Sequence, residues 1–234
     1  MNRITFRILI HSFLCIAAIG LLSSCATHHH RPIRRAGDSS PIRVACIGDS
    51  ITYGYGIANR EKDSYPAQLQ ALLGDGWQVR NFGFNGATAL KKGTKPYSLL
   101  PVYGEALLFK PDVVVIKLGT NDTNEKSWPP HKEDFVADYL EIVRGFQNLE
   151  TKPRIYLCRP VPLFRDRGKV FDTDKILTEE VIPKINEIAR KKHLPVIDLY
   201  AALAGNAGMF PDGVHPDAAG AKIMATVIQK ELSH

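Results

Sequence analysis

From residue 42 onward, short apolar runs rich in β-branched residues alternate with longer stretches of helical periodicity. The run Val113-Val114-Val115-Ile116 has no polar alternation, which is typical of a parallel strand covered on both faces. Runs of this kind predict five strands, at residues 42–47, 77–82, 112–118, 154–159 and 194–199. The alternation predicts an α/β fold in which helices cover both faces of a parallel sheet, a three-layer α/β/α sandwich.

Four helices are predicted between and after these strands. Ser64 is placed to cap the first, which ends at Gly74. The second covers residues 133–149 and has a continuous apolar stripe of Phe135, Tyr139, Ile142, Val143 and Phe146. The third covers 174–192, where Pro183 is expected to kink or restart the helix, and the last covers about 217–232.

The first 41 residues have a different pattern. Arg3 and Arg7 precede an apolar stretch that is short for a membrane span and has the form of a secretory signal. The stretch ends in Leu22-Ser23-Ser24-Cys25, which resembles a bacterial lipobox. That resemblance implies a lipoprotein signal peptide at residues 1–24, a lipidated Cys25 at the start of a flexible tether (25–41), and a folded domain at 42–234.

A lipidated Cys25 would hold the protein to a membrane of the cell envelope. The outer membrane, on its periplasmic face, is favoured because no acidic run follows Cys25. The alternatives are a plain secreted protein and an uncleaved anchor. In the tether, His28-His29-His30 could bind a metal, but a solvated spacer explains them as well.

Charge and composition exclude several classes of protein. The chain has 234 residues and a net charge of +6, but the part from Ile42 carries 25 basic against 23 acidic residues, a net charge of only +2. This balance argues against a nucleic-acid partner. Neither H-E-x-x-H nor a G-x-G-x-x-G sequence is present, so no metal or other cofactor is expected. No feature indicates a required protein partner.

Four polar motifs carry candidate chemistry, and the first three follow predicted strand ends. They are Gly48-Asp49-Ser50, Asn85-Gly86, Gly119-Thr120-Asn121 and, near the C-terminus, Asp212-Gly213-Val214-His215. Each taken alone is also compatible with a helix cap or an ordinary turn. In parallel α/β sheets, however, ligands bind beyond the carboxyl ends of the strands, where these motifs are expected to meet.

In this order, the four motifs resemble the four signature blocks of the SGNH (GDSL) hydrolases, and the resemblance covers residues 42–232. It implies a five-stranded sheet of order 2-1-3-4-5. It also implies that Ser50 is the nucleophile, that His215 is the general base and acid, and that Asp212 orients His215. The oxyanion hole would consist of the backbone N–H groups of Ser50 and Gly86 and the side-chain amide of Asn121.

Three further residues are candidates for contacts with substrate: Asp49, His131 and Arg159. Arg159 departs from the pattern of the family, since it places a charge at the end of the fourth strand.

The implied strand order also separates Cys46 from Cys158 by one strand, about 9–10 Å at ~4.8 Å per strand. A disulfide spans only about 7 Å between Cα atoms, so none is expected.

The resemblance implies a serine esterase, and its sequence style is closest to carbohydrate O-acetylesterases of the sialate and xylan type. We therefore expect hydrolysis of short-chain, chiefly acetyl, esters on carbohydrates. An arylesterase or lysophospholipase of the same fold is the alternative, although no apolar insertion suggests a tunnel for a long acyl chain. A glycan-binding lipoprotein without catalytic activity is the non-enzyme alternative.

Overall fold

The computed structural model describes residues 40–233, which form a parallel five-stranded sheet. The strands are β1 (Ile42–Gly48), β2 (Trp77–Gly83), β3 (Val113–Lys117), β4 (Arg154–Arg159) and β5 (Val196–Asp198). Their order is β2-β1-β3-β4-β5, and every neighbouring pair is parallel. The predicted sheet and its order are therefore confirmed.

Within the described residues, ten α-helical segments connect or follow the strands. They are α1 (Ser50–Tyr53), α2 (Arg60–Asp63), α3 (Tyr65–Leu73), α4 (Pro101–Leu108), α5 (Trp128–His131), α6 (Phe135–Gln147), α7 (Thr173–Ile176), α8 (Ile182–Lys192), α9 (Leu199–Leu203) and α10 (Ala218–Leu232). A π-helical turn, Leu177–Val181, lies between α7 and α8. Most of the short segments lie in loops at the carboxyl edge of the sheet, where the candidate residues are found.

The two faces of the sheet belong to two separate apolar cores. One core contains Ala45 and Ile47 of β1 together with the buried side of α6 and α8. The other contains Val44 and Cys46 of β1 together with buried residues of α3 and α10. Alternate residues of β1 thus enter opposite cores, as strand geometry requires. All five residues of the predicted α6 stripe are fully buried.

The structure differs from the prediction mainly outside the long periodic segments. The sequence predicts no helix at residues 101–108, yet α4 forms there with Pro101 in its first turn. The predicted helix at 174–192 is divided by the π-helical turn, and Pro183 lies in the first turn of α8. At the junction the Ile182 N–H bonds to the Leu177 carbonyl oxygen, five residues back, so the regular α-helical bonding is already interrupted where proline, which has no N–H, enters the helix.

The predicted signal peptide, Cys25 and nearly all of the tether lie outside the described residues. Within residues 40–233, no helix is both long enough and apolar enough to cross a membrane. Cys46 and Cys158 are free and buried, on strands separated by β3, as the predicted strand order requires. Burial raises the pKa of the Cys46 thiol to about 12, although a hydrogen bond with Tyr65 opposes this shift.

Candidate active site

Ser50 is held at the turn between β1 and α1. Asp49 caps α1 through its Oδ1 atom, which accepts a hydrogen bond of 2.9 Å from the Ile51 N–H. Gly48 has no room for a side chain, since a Cβ there would lie 2.1 Å from Thr52 Oγ1 and 2.7 Å from the Lys117 carbonyl oxygen. This close packing fixes Ser50, which remains 7% exposed, at the carboxyl edge of the sheet.

Three predicted residues form a continuous hydrogen-bonded chain. Ser50 Oγ lies 2.8 Å from His215 Nε2, and His215 Nδ1 lies 2.6 Å from Asp212 Oδ2. The other carboxylate oxygen of Asp212 accepts bonds of 2.9 and 2.8 Å from the N–H groups of Val214 and His215. Asp212 therefore holds both the backbone and the ring of the histidine, and the ring can take a proton from the serine.

The hydrogen bonds to Asp212 also determine its charge. Partial burial raises the pKa of Asp212, but the bonds donated by the His215 ring and by the His215 and Val214 N–H groups outweigh burial and lower this pKa to about 2. The carboxylate is consequently ionised at neutral pH. A negative charge next to Nδ1 would stabilise a protonated imidazole at His215.

The motif that carries Asp212 and His215 is held by contacts on both sides. The Gly213 carbonyl oxygen accepts bonds of 2.7 and 3.2 Å from the N–H groups of Phe164 and Arg165. Gly213 has φ +74°, and a Cβ there would lie 2.7 Å from Arg165 N, so a side chain would break this contact. On the other side, Asp217 caps α10, which directly follows the motif.

The proposed oxyanion donors lie on three different loops. Ser50 is the first residue of α1, so its N–H has no partner within that helix. Gly86 has φ +82°, a left-handed conformation that favours glycine. One Nδ2 hydrogen of Asn121 is used in a bond of 2.9 Å to the Ala87 carbonyl oxygen, which ties the Asn121 loop to the Gly86 loop and leaves the second hydrogen available.

Asp122 also connects the Asn121 loop to the Gly86 loop. Its two carboxylate oxygens accept bonds of 3.0 and 2.8 Å from the N–H groups of Ala89 and Leu90. Burial raises the pKa of Asp122 to about 7, although these backbone bonds oppose the shift. The two loops that carry Gly86 and Asn121 are therefore joined by three hydrogen bonds from two adjacent side chains.

A fully buried ion pair lies directly behind the serine. Lys117 Nζ, at the end of β3, donates 2.9 Å bonds to both carboxylate oxygens of Asp49 and a 2.8 Å bond to Thr120 Oγ1. Both charged side chains are 0% exposed. Burial lowers the pKa of Lys117, and the charge of Asp49 opposes this shift. Lys117 thus connects Asp49, which precedes Ser50, to Thr120, which precedes Asn121.

The motifs in the sequence do not identify Lys117 as a functional residue. The available signal was a lysine at the end of an otherwise apolar run, Val113-Val114-Val115-Ile116-Lys117, followed by the Gly119-Thr120-Asn121 motif. A lysine there is usually explained by solvent exposure. What the sequence does not give is the register, in which Lys117 pairs with Gly48 and comes to face Asp49.

Three residues are predicted to contact substrate, and none of them is part of the hydrogen-bonded chain of Ser50, His215 and Asp212 in the described part of the structure. Asp49 has no exposed surface and both of its oxygens are bonded, so its position does not fit the expected contact with substrate. Arg159 bonds to Asp198 at the end of β5 and to Asn186 of α8, so at least part of its role is structural. His131 ends α5, and in the described part of the chain no hydrogen bond links its side chain to Ser50, Asp212 or His215.

Comparison with known proteins agrees with the fold and the motifs. Residues 46–223 match the GDSL-like lipase/acylhydrolase family. The match covers more than half of the chain and contains all four motifs. The chain therefore belongs to this family, a class of carboxylic ester hydrolases.

A relative with a similar sequence is also an esterase. The chain is 42% identical over 205 residues to an acetylxylan esterase of Xylanibacter ruminicola. The match covers 80% of this chain but only 42% of that relative, so the chain spans less than half of the relative's length.

Solved structures share the fold at lower identity. A lipase/acylhydrolase from Enterococcus faecalis has a TM-score of 0.65 at 24% identity, covering 82% of this chain and 95% of that one. A carbohydrate acetylesterase family member from Sinorhizobium meliloti has a TM-score of 0.64 at 21% identity, covering 82% and 97%.

We predict that Lys117→Met destabilises the fold by about 3–5 kcal/mol, because it leaves the Asp49 carboxylate buried without a partner. Urea unfolding of the purified protein measures the effect. The double variant Asp49→Asn/Lys117→Met has no buried charge at this position and an amide that can still cap α1, so it should recover most of the loss. Equal stability of the wild type and Lys117→Met would contradict a buried ion pair.

Proposed function

We propose that this chain is a serine esterase that hydrolyses short-chain, chiefly acetyl, esters on carbohydrates. The observation that carries the proposal is the hydrogen-bonded chain from Ser50 Oγ through the His215 ring to Asp212. The protein belongs to an acylhydrolase family. In such a protein, Ser50, His215 and Asp212 would be the nucleophile, the base and the orienting carboxylate of an acyl transfer.

The reaction proceeds in two steps through an acyl-enzyme. Ser50 Oγ attacks the ester carbonyl carbon while His215 Nε2 takes the serine proton, and the carbonyl oxygen becomes an oxyanion. The Ser50 and Gly86 N–H groups and the Asn121 amide donate hydrogen bonds to this oxyanion. When the intermediate collapses, the C–O bond to the alcohol breaks and His215 gives its proton to the leaving oxygen. Water then attacks the acyl carbon while His215 Nε2 takes its proton. The bond from the acyl carbon to Ser50 Oγ breaks, His215 returns the proton to Oγ, and the carboxylic acid leaves.

The substrate class is supported by the relative that acts on acetylated xylan. A panel of acetylated glycans, compared with p-nitrophenyl esters of increasing chain length, tests the proposal. Acetate release from one or more of the glycans is expected, with p-nitrophenyl acetate preferred over long-chain esters. A preference for long acyl chains or for lysophospholipids would replace the proposed substrate class but keep the mechanism.

We predict that Ser50→Ala lowers kcat by about 10⁴-fold or more, because the attacking atom is removed. The measurement is ester turnover together with labelling by a fluorophosphonate probe, which should be lost. His215→Ala should be similarly inactive. His131→Ala is the matched control, because a histidine outside the hydrogen-bonded chain should leave probe labelling in place. Near-normal turnover by Ser50→Ala would refute the mechanism.

We predict that Asn121→Ala lowers kcat by about 10²–10³-fold with little change in KM, because the amide acts mainly on the oxyanion of the transition state. Steady-state kinetics measure both constants. The Asn121–Ala87 bond is also lost, so thermal unfolding must establish that the variant is folded at the assay temperature. An effect confined to KM would assign Asn121 to binding of the ground state.

We also propose that a lipid on Cys25 attaches the protein to a membrane of the cell envelope, on the strength of the Leu22-Ser23-Ser24-Cys25 sequence. Cys25→Ser should move the protein from the membrane fraction to the soluble fraction, because a lipidated cysteine is the anchor. Its activity per molecule should not change, since the predicted folded domain begins at residue 42. A variant that still sediments with membranes after a salt wash would exclude this anchor.

A further inference from the structure

The proposed reaction determines where the alcohol part of the substrate must lie. His215 Nε2 gives its proton to the leaving oxygen, so this oxygen comes within hydrogen-bond distance of Nε2. The carbonyl oxygen is turned the other way, towards Gly86 and Asn121. On a carbohydrate ester the leaving alcohol is the sugar, and the sugar ring is therefore bound beside His215. The following inference rests on the proposed function.

Tyr55 is the aromatic side chain that lies against His215. The two ring centroids are 4.7 Å apart, and the ring planes are tilted by 47°. Tyr55 nevertheless remains 52% exposed. Of the five large hydrophobic side chains that are exposed within residues 40–233, it is the one aromatic residue; the others are Leu72, Leu99, Leu108 and Val170.

The backbone holds Tyr55 firmly at this position. Its N–H donates a 2.9 Å bond to the Ser50 carbonyl oxygen, so the residue is attached to the nucleophile's own helix. Its neighbours Gly54 and Gly56 have φ values of +90° and +81°, which allow the chain to turn on both sides of it. At Gly54 a Cβ would also lie 2.8 Å from the Ser64 Cβ. The backbone of Tyr55 is therefore fixed next to α1, and its ring lies against that of His215.

We propose that Tyr55 forms the binding subsite for the pyranose ring of the leaving alcohol. One side of a pyranose carries C–H groups with partial positive charge, and the face of an aromatic ring carries partial negative charge. Stacking against Tyr55 would align the acetylated oxygen with His215 Nε2 and would exclude water from one side of the reacting bond. Tyr55 would thus select carbohydrate esters over simple alkyl esters.

The test compares two acetate esters that form the same acetyl-enzyme but differ in the alcohol. One is an acetylated xylo-oligosaccharide and the other is ethyl acetate, each followed by acid release in a pH-stat. The quantity of interest is the specificity ratio, which is kcat/KM for the sugar ester divided by kcat/KM for ethyl acetate. Tyr55→Ala should lower this ratio on the order of tenfold, the size of an aromatic stacking contact.

Two variants serve as controls. Tyr55→Phe keeps the aromatic face and should keep the ratio within about twofold of the wild type. Leu72→Ala removes an exposed apolar side chain of α3 and should not alter the ratio. Deacetylated xylo-oligosaccharide should inhibit the wild type and Tyr55→Phe more strongly than Tyr55→Ala, because it occupies the same subsite.

The possible failures are distinguishable. If Tyr55→Ala loses the same factor on both esters, Tyr55 only orients His215, and the subsite is refuted while the esterase stands. If the wild type hydrolyses ethyl acetate but no acetylated sugar, the carbohydrate assignment and the subsite both fail. If the wild type hydrolyses neither ester and fails to react with fluorophosphonate, the proposed function itself is wrong.

Discussion

The ion pair between Lys117 and Asp49 is the constraint on which the arrangement of the site depends. A buried ammonium or carboxylate without a partner is costly, so neither side chain can move without the other. Asp49 precedes Ser50, and Lys117 also bonds to Thr120, which precedes Asn121. The loops that carry Ser50 and Asn121 are consequently joined by an electrostatic contact that is fully buried inside the protein.

Other polar contacts extend this constraint to the remaining loops. Asn121 and Asp122 bind the Gly86 loop through the Ala87 carbonyl oxygen and the N–H groups of Ala89 and Leu90. The motif that carries Asp212 and His215 is bound separately, through Gly213 and α10. The parallel sheet thus brings the loops to one edge, and side chain-to-backbone bonds between the loops determine how they are placed relative to one another.

Local patterns in the sequence predict the strands and the pairing of Asp212 with His215, whereas the strand order and the place of Ser50 beside His215 are what the resemblance to the SGNH hydrolases implies. Strands show as apolar runs, and Asp212 and His215 lie three residues apart in a turn bounded by glycine and proline. The role of Lys117 depends instead on the register between β1 and β3 and on a partner 68 residues away. The ion pair of Arg159 is not predictable for the same reason, since its partner Asp198 lies opposite it on the neighbouring strand. The position of Tyr55 against His215 likewise becomes visible only when the two ends of the domain are brought together.

The bond between Ser50 and His215 joins residues that are 165 positions apart in the chain. Most of residues 40–233 must be folded before Ser50 and His215 come into contact, since α10, which fixes the His215 motif, is the last helix within that range. Under the proposed mechanism, a fragment that lacks residues 212–215 has neither the base nor its orienting carboxylate and is expected to be inactive. The proposed mechanism thus makes ester turnover a probe of native topology in folding studies, because turnover would report a contact of high sequence separation that local helix formation cannot imitate.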